Sequence, residues 1–241
     1  MQQIKPFSDN RLTRGCIYCD GVADTRDHVP SKCLLDNPYP DNLPVVGCCY
    51  SCNQSFSSDE IYFACFIECF KSGSTKIEHI NREYIKNIFR KTPSLHKRIE
   101  NATKIENELI KFYPELERIK NVLMKLVKGH TAFELSIVRK DEPNHFWFGL
   151  IESLPEVNQT DFYFAHFQEN IGEVGSRSMQ RLLVTSLINH NGKQDNFIIN
   201  DWIDVQNNKY RYITIDDMGM GMVIVRIVID EIWGCEVAWK H

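Results

Sequence analysis

Cys16-Ile-Tyr-Cys19, Thr25-Arg-Asp-His-Val-Pro30, Asp41-Asn-Leu-Pro-Val-Val46 and Cys49-Tyr-Ser-Cys52-Asn53 follow one another near the start of the chain, and their reading decides the fold. Each Cys-x-x-Cys pair offers two thiolates from one tight turn. Two such knuckles, about 30 residues apart, complete a tetrahedral four-sulfur zinc site. Cys16, Cys19, Cys49 and Cys52 are therefore the expected ligands of a Zn2+ ion. With four protein ligands that ion has no position left for substrate, which makes it structural. Cys48 can replace Cys49, although the two-residue gap favours Cys49. Residues 1–58 are rich in Cys, Pro, Asp and Asn and too poor in apolar residues to hold a core alone, so zinc binding and folding are expected to be one event. Cys65 and Cys69 lie one helical turn apart in an apolar run and read as core residues, not as a second metal site.

Working outward, the chain has 241 residues, 43% hydrophobic and 25% charged, which allows one large domain or two small ones of ordinary composition. No apolar run approaches the roughly 20 residues of a membrane helix, and the first residues carry no signal-peptide core. A cytoplasmic protein without a membrane partner is the expectation. The nine cysteines are an odd number and cluster near the start, which without a secretion signal favours metal over disulfides. The net charge of −4 conceals an asymmetry: residues 1–70 carry −4, residues 71–130 carry +7 and residues 131–241 carry −7. Only the middle is basic, and a nucleic-acid binder needs such a local surface, not a positive total.

The pattern divides the chain into three regions and an α+β fold: a small zinc-stapled module over residues 1–72, a basic helical region over 73–130 and a mixed, strand-rich region over 131–241. Ser57 or Ser58, before Asp59 and Glu60, can cap a helix whose run Ile61-Tyr-Phe-Ala-Cys-Phe-Ile67 is buried on several sides and which Gly73 ends. Ile77 to Phe89 repeat at helical spacing, Pro93 interrupts, and Leu95, Ile99, Ile105, Leu109 and Ile110 continue a weaker helical stripe. Pro114 opens a further helix and Gly129 ends it. Residues 144–151 and 161–167 read as strands, and 177–187 as a helix. Residues 200–206 and 209–215 form a hairpin across Asn207-Asn208, and 222–229 and 232–239 close a meander. Lys71, Lys76, Arg82, Lys86, Arg90, Lys91, Lys97 and Arg98 form either a phosphate-tracking face or a solvated one. Arg177, Arg181 and Arg226 are expected to pair with nearby carboxylates, and His130, His145 and His166 to be structural or surface residues.

In this order the motifs resemble the HNH, or ββα-metal, endonucleases, whose pattern runs through Cys-x-x-Cys, an Asp-His pair followed by Pro, Asn-Leu, and a second Cys-x-x-Cys followed by His or Asn. His28, Asn42 and Asn53 fill the three named places, making this an HNN variant. The remainder resembles the tails of uncharacterised bacterial HNH proteins, which supplies no activity. The resemblance implies a two-stranded ribbon near 26–29 and 43–46, then a helix from near Cys52 toward Lys71. It implies an endonuclease that hydrolyses phosphodiester bonds. Asp27 and Asn53 would give oxygen ligands to Mg2+ or Mn2+, His28 would take a proton from water, and Asn42 would orient His28. Neighbours on a strand point to opposite faces, so Asp27 and His28 need a strand end or a bend to serve one site. The expected partner is nucleic acid, DNA in preference to RNA. A ribonuclease using the same site and a non-catalytic zinc-stapled nucleic-acid-binding protein are the alternatives, and a protein partner or homo-oligomer is left open.

Overall fold

A computed structural model describes residues 3–106, 109–188 and 190–241. The fold is α+β and forms two compact units, residues 1–53 with 125–241 and residues 54–124. The N-terminal motifs thus share a unit with the strand-rich end, where the sequence pattern suggested breaks at 72 and 130. In the first unit, β1 (Thr25–His28) and β2 (Val45–Cys48) pair antiparallel, Thr25 opposite Cys48 and His28 opposite Val45. α1 (Tyr50–Ser72) follows. It starts well before the cap expected at Ser57 or Ser58, because the second cysteine knuckle is itself the first turn. The Asn53 amide donates to the Cys49 carbonyl at 3.0 Å as the first regular bond of the helix, and the Tyr50 amide, one of the orphan donors of the helix start, donates to Asp24 Oδ1 at 2.8 Å. Among the described residues no helix is long and apolar enough to cross a membrane.

The second unit begins within α1, whose residues Tyr62 to Cys69 are buried. Gly73 ends the helix as expected, at φ +58°. α2 (Glu83–Lys91) and α3 (Pro93–Asn101) follow, and the buried Glu68 Oε1 accepts the amides of Asn81 and Arg82 at 3.2 Å just ahead of α2. The helical stripe expected through Ile105, Leu109 and Ile110 is instead a hairpin of β3 (Thr103–Glu106) and β4 (Leu109–Phe112). Ala102 closes α3, its amide reaching back to Arg98 and its carbonyl accepting Tyr113 at 2.7 Å, and apolar residues at 105, 109 and 110 fit either period. Phe112 packs on Phe66 and Phe70, and Asp59 binds Arg118 and Asn121, each at 2.8 Å. Much of the basic run is spent on neighbours: Arg90 and Lys86 on Glu83, and Arg98 on Glu115. Such exposed pairs contribute little stability, but they lower the positive potential of the face.

The first unit resumes within α4 (Leu116–His130), which passes through Gly129 and widens into a π turn, Thr131–Leu135, before Ser136 at φ 60°. Gly129 is therefore no helix stop. A Cβ there would lie 2.5 Å from Val29 Cγ2, so the glycine is required by the close approach of α4 to the residue that follows β1. β5 (His145–Leu150), α5 (Glu156–Tyr163), β6 (His166–Gln168), α6 (Arg177–Arg181), β7 (Leu183–Ile188) and β8 (Gln194–Asn200) come next. The expected strand 161–167 is helical through Tyr163, and the expected helix 177–187 stops at Arg181, where the run from Leu183 pairs with β8 instead. β9 (Ile203–Gln206), β10 (Tyr210–Asp217), β11 (Met222–Ile229) and β12 (Trp233–Lys240) complete the meander. They form an antiparallel sheet in the order β5-β12-β11-β10-β9, beside a smaller sheet β6-β8-β7.

Ile213, Ile215, Ile224 and Ala238 make one core cluster of the larger sheet, and Ile151, Phe162 and Val228 another. Behind β10, His130 stacks on Tyr212 and bonds the Tyr210 hydroxyl at 2.8 Å, while Tyr212 donates to Glu134 at 2.6 Å. Arg181 pairs with Glu134 and Arg226 with Glu236, as expected, but Arg177 donates to the carbonyls of Ile4 and Phe133 instead of to a carboxylate. His130 is buried, and His145 and His166 face Glu236 and Asp217, in keeping with structural or surface roles.

Gly129→Ala is expected to destabilise the protein by about 1–3 kcal/mol in a denaturant titration, the range for overpacking a buried contact. Val29→Ala removes the two methyl groups that the new Cβ would meet, so Gly129→Ala should cost much less in that background. Equal costs in both backgrounds would show that the Val29 contact is not the reason for the glycine.

Candidate metal centre and hydrolytic site

The sulfurs of Cys16, Cys19, Cys49 and Cys52 all lie within 4.8 Å of one another, the one such group among the described residues. Cys19 and Cys49 are 3.7 Å apart. A tetrahedron of Zn–S bonds of 2.3 Å has edges of about 3.8 Å, so the cluster has the size of a four-thiolate zinc site. Backbone amides already serve these sulfurs: Gly21 donates to Cys19 at 3.3 Å and Cys52 to Cys49 at 3.4 Å. Burial opposes ionisation of Cys16, but amides of Cys49, Tyr18 and Cys19 outweigh it and bring the thiol down to about 6. Cys52 moves the opposite way, pushed up by burial and by the neighbouring sulfurs. Four adjacent thiols cannot all ionise without a cation, and a Zn2+ ion could supply that charge. The choice between Cys48 and Cys49 falls to Cys49. Cys48 donates its thiol to the Cys49 carbonyl at 3.2 Å and is pushed up to about 12, chiefly by burial. Cys65 and Cys69 are buried core residues, as expected.

β1 runs in unbroken register through His28, so alternate residues take opposite faces. Asp27 is buried. Arg26 and His28 share the other face, Arg26 exposed and His28 half-buried. No bend at this strand end turns Asp27 and His28 toward one site. Both oxygens of Asp27 are engaged: Tyr18 donates its hydroxyl to Oδ2 at 2.8 Å, and the Lys125 ammonium lies 2.9 Å from Oδ1. Lys125 also donates to Ser31 Oγ at 2.8 Å. Asn53 sits on the first turn of α1, its amide nitrogen 3.3 Å from Thr25 Oγ1 and 3.4 Å from the Arg26 carbonyl. The hard-cation site expected from Asp27 and Asn53 is therefore not assembled, because a lysine already neutralises the carboxylate.

His28 forms no hydrogen bond with the described residues, so the orienting bond expected from Asn42 is not made. Asn42 lies in the turn before β2, its backbone carbonyl accepting Gln3 Nε2 at 2.9 Å. The His28 imidazolium is disfavoured by burial first, then by the charges of Lys32 and Lys125, against the pull of Asp27. The ring is thus held below its ordinary value and is neutral at neutral pH, the form that accepts a proton. Arg26 forms no ion pair or hydrogen bond among the described residues through its guanidinium.

Tyr18, Ser31 and Lys125 were missed by sequence reasoning. Tyr18 sits inside the first knuckle and had a signal in its position, whereas Lys125 lies nearly 100 residues from Asp27 and had none. Comparison of the chain with protein-family models, curated proteins and solved structures gave no match.

The purified protein is expected to hold about one zinc per chain. Cys49→Ser should lose that zinc and Cys48→Ser should keep it, as read by elemental analysis with a thiolate-release assay. Loss of zinc from the Cys48 variant would move the ligand to that residue.

Proposed function

We propose that this chain is a zinc-stapled endonuclease of the HNH kind, cutting phosphodiester bonds in DNA with His28 as the base that activates water. The observation that carries the reading is the placement of His28. It ends β1 of a ββα unit stapled by four cysteines, half-buried and biased to its neutral form. Arg26 on the same face and Lys32 nearby suit a scissile phosphate, because cations placed where charge develops stabilise the transition state. Asn53, at the start of α1, adds a helix N-terminus close to β1, where anions are favoured. The zinc holds the two strands and the helix start together and takes no part in the chemistry. Asp27, the carboxylate that the resemblance would place on a Mg2+ or Mn2+ ion, is engaged by Tyr18 and Lys125 in this arrangement.

One observation favours a second reading. With Asp27 paired to Lys125, the site has the zinc staple and a basic face but lacks an assembled hydrolytic metal site, which suits a non-catalytic nucleic-acid-binding module.

His28→Ala should lower cleavage by roughly 10²- to 10⁴-fold, the usual contribution of a general base, and leave zinc content unchanged. The assay compares linear, supercoiled, single-stranded and branched DNA with RNA, in Mg2+ and in Mn2+. No cleavage of any substrate by the zinc-loaded wild type, with equal binding by the variant, would replace the nuclease with the binding module.

The pH profile has a definite sign. A base with a lowered value becomes active as pH rises through a midpoint below the ordinary histidine value of about 6.5. Lys32→Ala removes a charge that disfavours the imidazolium, so the His28 midpoint should move up in an NMR titration, and the acid limb of the rate profile with it. A shift downward, or none, would remove Lys32 from the account.

A further inference from the structure

We infer that Lys125 is the resident cation of Asp27, and that it excludes a divalent metal from that carboxylate for as long as α4 stays packed against the end of β1. The inference rests on the nuclease reading only in treating Asp27 as the expected metal ligand. The geometry is specific. The Asp27 and Lys125 side chains are 7% and 2% exposed, and their ionised atoms lie 2.9 Å apart. Tyr18 occupies the second oxygen of Asp27, and Ser31 takes another of the ammonium protons. The carboxylate therefore has its charge matched and both oxygens in use.

A Mg2+ or Mn2+ ion on Oδ1 would sit a few ångströms from the ammonium in a buried place. The repulsion between a double and a single positive charge at that distance is far above thermal energy. Metal and Lys125 are mutually exclusive there. Lys125 is also not a loose side chain that swings away at no cost. Gly129 lies four residues on, hence on the same face of α4, and its contact with Val29 fixes that face against the chain just beyond Asp27. Leu126 and Val127, beside it on α4, are buried too.

The consequence is a division of labour across β1. Asp27 serves the interior as a counter-ion, and the open face, with Arg26 and His28, serves the solvent. Metal-dependent chemistry at Asp27 would require the ammonium to leave first.

The test is Mn2+ binding to the zinc-loaded full chain, read by electron paramagnetic resonance and independent of cleavage. Wild type and Asp27→Asn should bind Mn2+ alike. Lys125→Met, which keeps the apolar stem and removes the charge, should acquire a site roughly 10- to 100-fold tighter, and the Lys125→Met/Asp27→Asn double variant should lose it. Weaker binding by Asp27→Asn than by wild type would overturn the inference, as would a folded Lys125→Met variant that binds no tighter. Both single variants leave a buried partner uncompensated and can fail to fold. The wild type then decides alone: the Tyr18 ring resonances, beside Asp27, should show no site-specific Mn2+ broadening, and such broadening would overturn the inference. Failure of the nuclease reading shows in the His28→Ala cleavage assay, to which these binding measurements are blind.

Discussion

The ion pair of Asp27 with Lys125 constrains this end of the molecule more than any other single contact. Burying either charge alone is prohibitive, and removing one partner of such a pair typically costs about 3–5 kcal/mol. The pair therefore forces α4, far along the chain, to cross close to β1, and a close crossing needs a residue without a side chain at Gly129. Val29, completely buried beneath that glycine, is held on its other side by the Pro44 carbonyl, which accepts its amide at 2.9 Å. Strand end, loop and helix are thus set by one electrostatic requirement and one steric allowance.

The cysteine knuckles do the complementary job at the other end of the same small ribbon. The β1–β2 ladder is only four residues long, and a two-stranded ribbon of that size is not stable by itself in water. The four sulfurs bring the turn before β1 to the first turn of α1, and one ion held among them would fix the ribbon's geometry. Asp24 adds a side-chain cap for Tyr50 at the same junction. His28 owes its position to this arrangement, at the far end of β1 from the turn that the metal holds.

Much of this was legible in the sequence because the relevant physics is local. Cys-x-x-Cys spacing fixes ligand geometry within a few residues, and the ribbon and helix fall close to where the motifs place them. The antiparallel meander is also local, since Asn207-Asn208 declares the hairpin of β9 and β10 within one turn; Asn208 indeed takes φ 54°. Local patterns misled where two periods fit the same apolar residues, as at Ile105 and Ile110, and where a glycine had a tertiary reason, as at Gly129. The role of Asp27 was not legible. Its type and position in the motif suggest an open metal ligand, and only the three-dimensional fold brings Lys125 to it. Composition likewise placed a basic face in the middle of the chain without revealing that Arg90 and Arg98 are met by carboxylates of their own unit.

Tyr18 is the residue whose placement reaches furthest. It lies between two zinc ligands in sequence and ends in a hydroxyl bonded to Asp27. The knuckle that folds around the metal is therefore also the arm that reaches the buried carboxylate. Thermodynamic linkage makes that traffic run both ways. Whatever affinity for zinc is gained because Tyr18 finds Asp27 in place, the same free energy is returned to the Asp27–Lys125 pair when zinc binds. A structural metal held there, without meeting a substrate, would thereby act as an effector of the strand that carries His28.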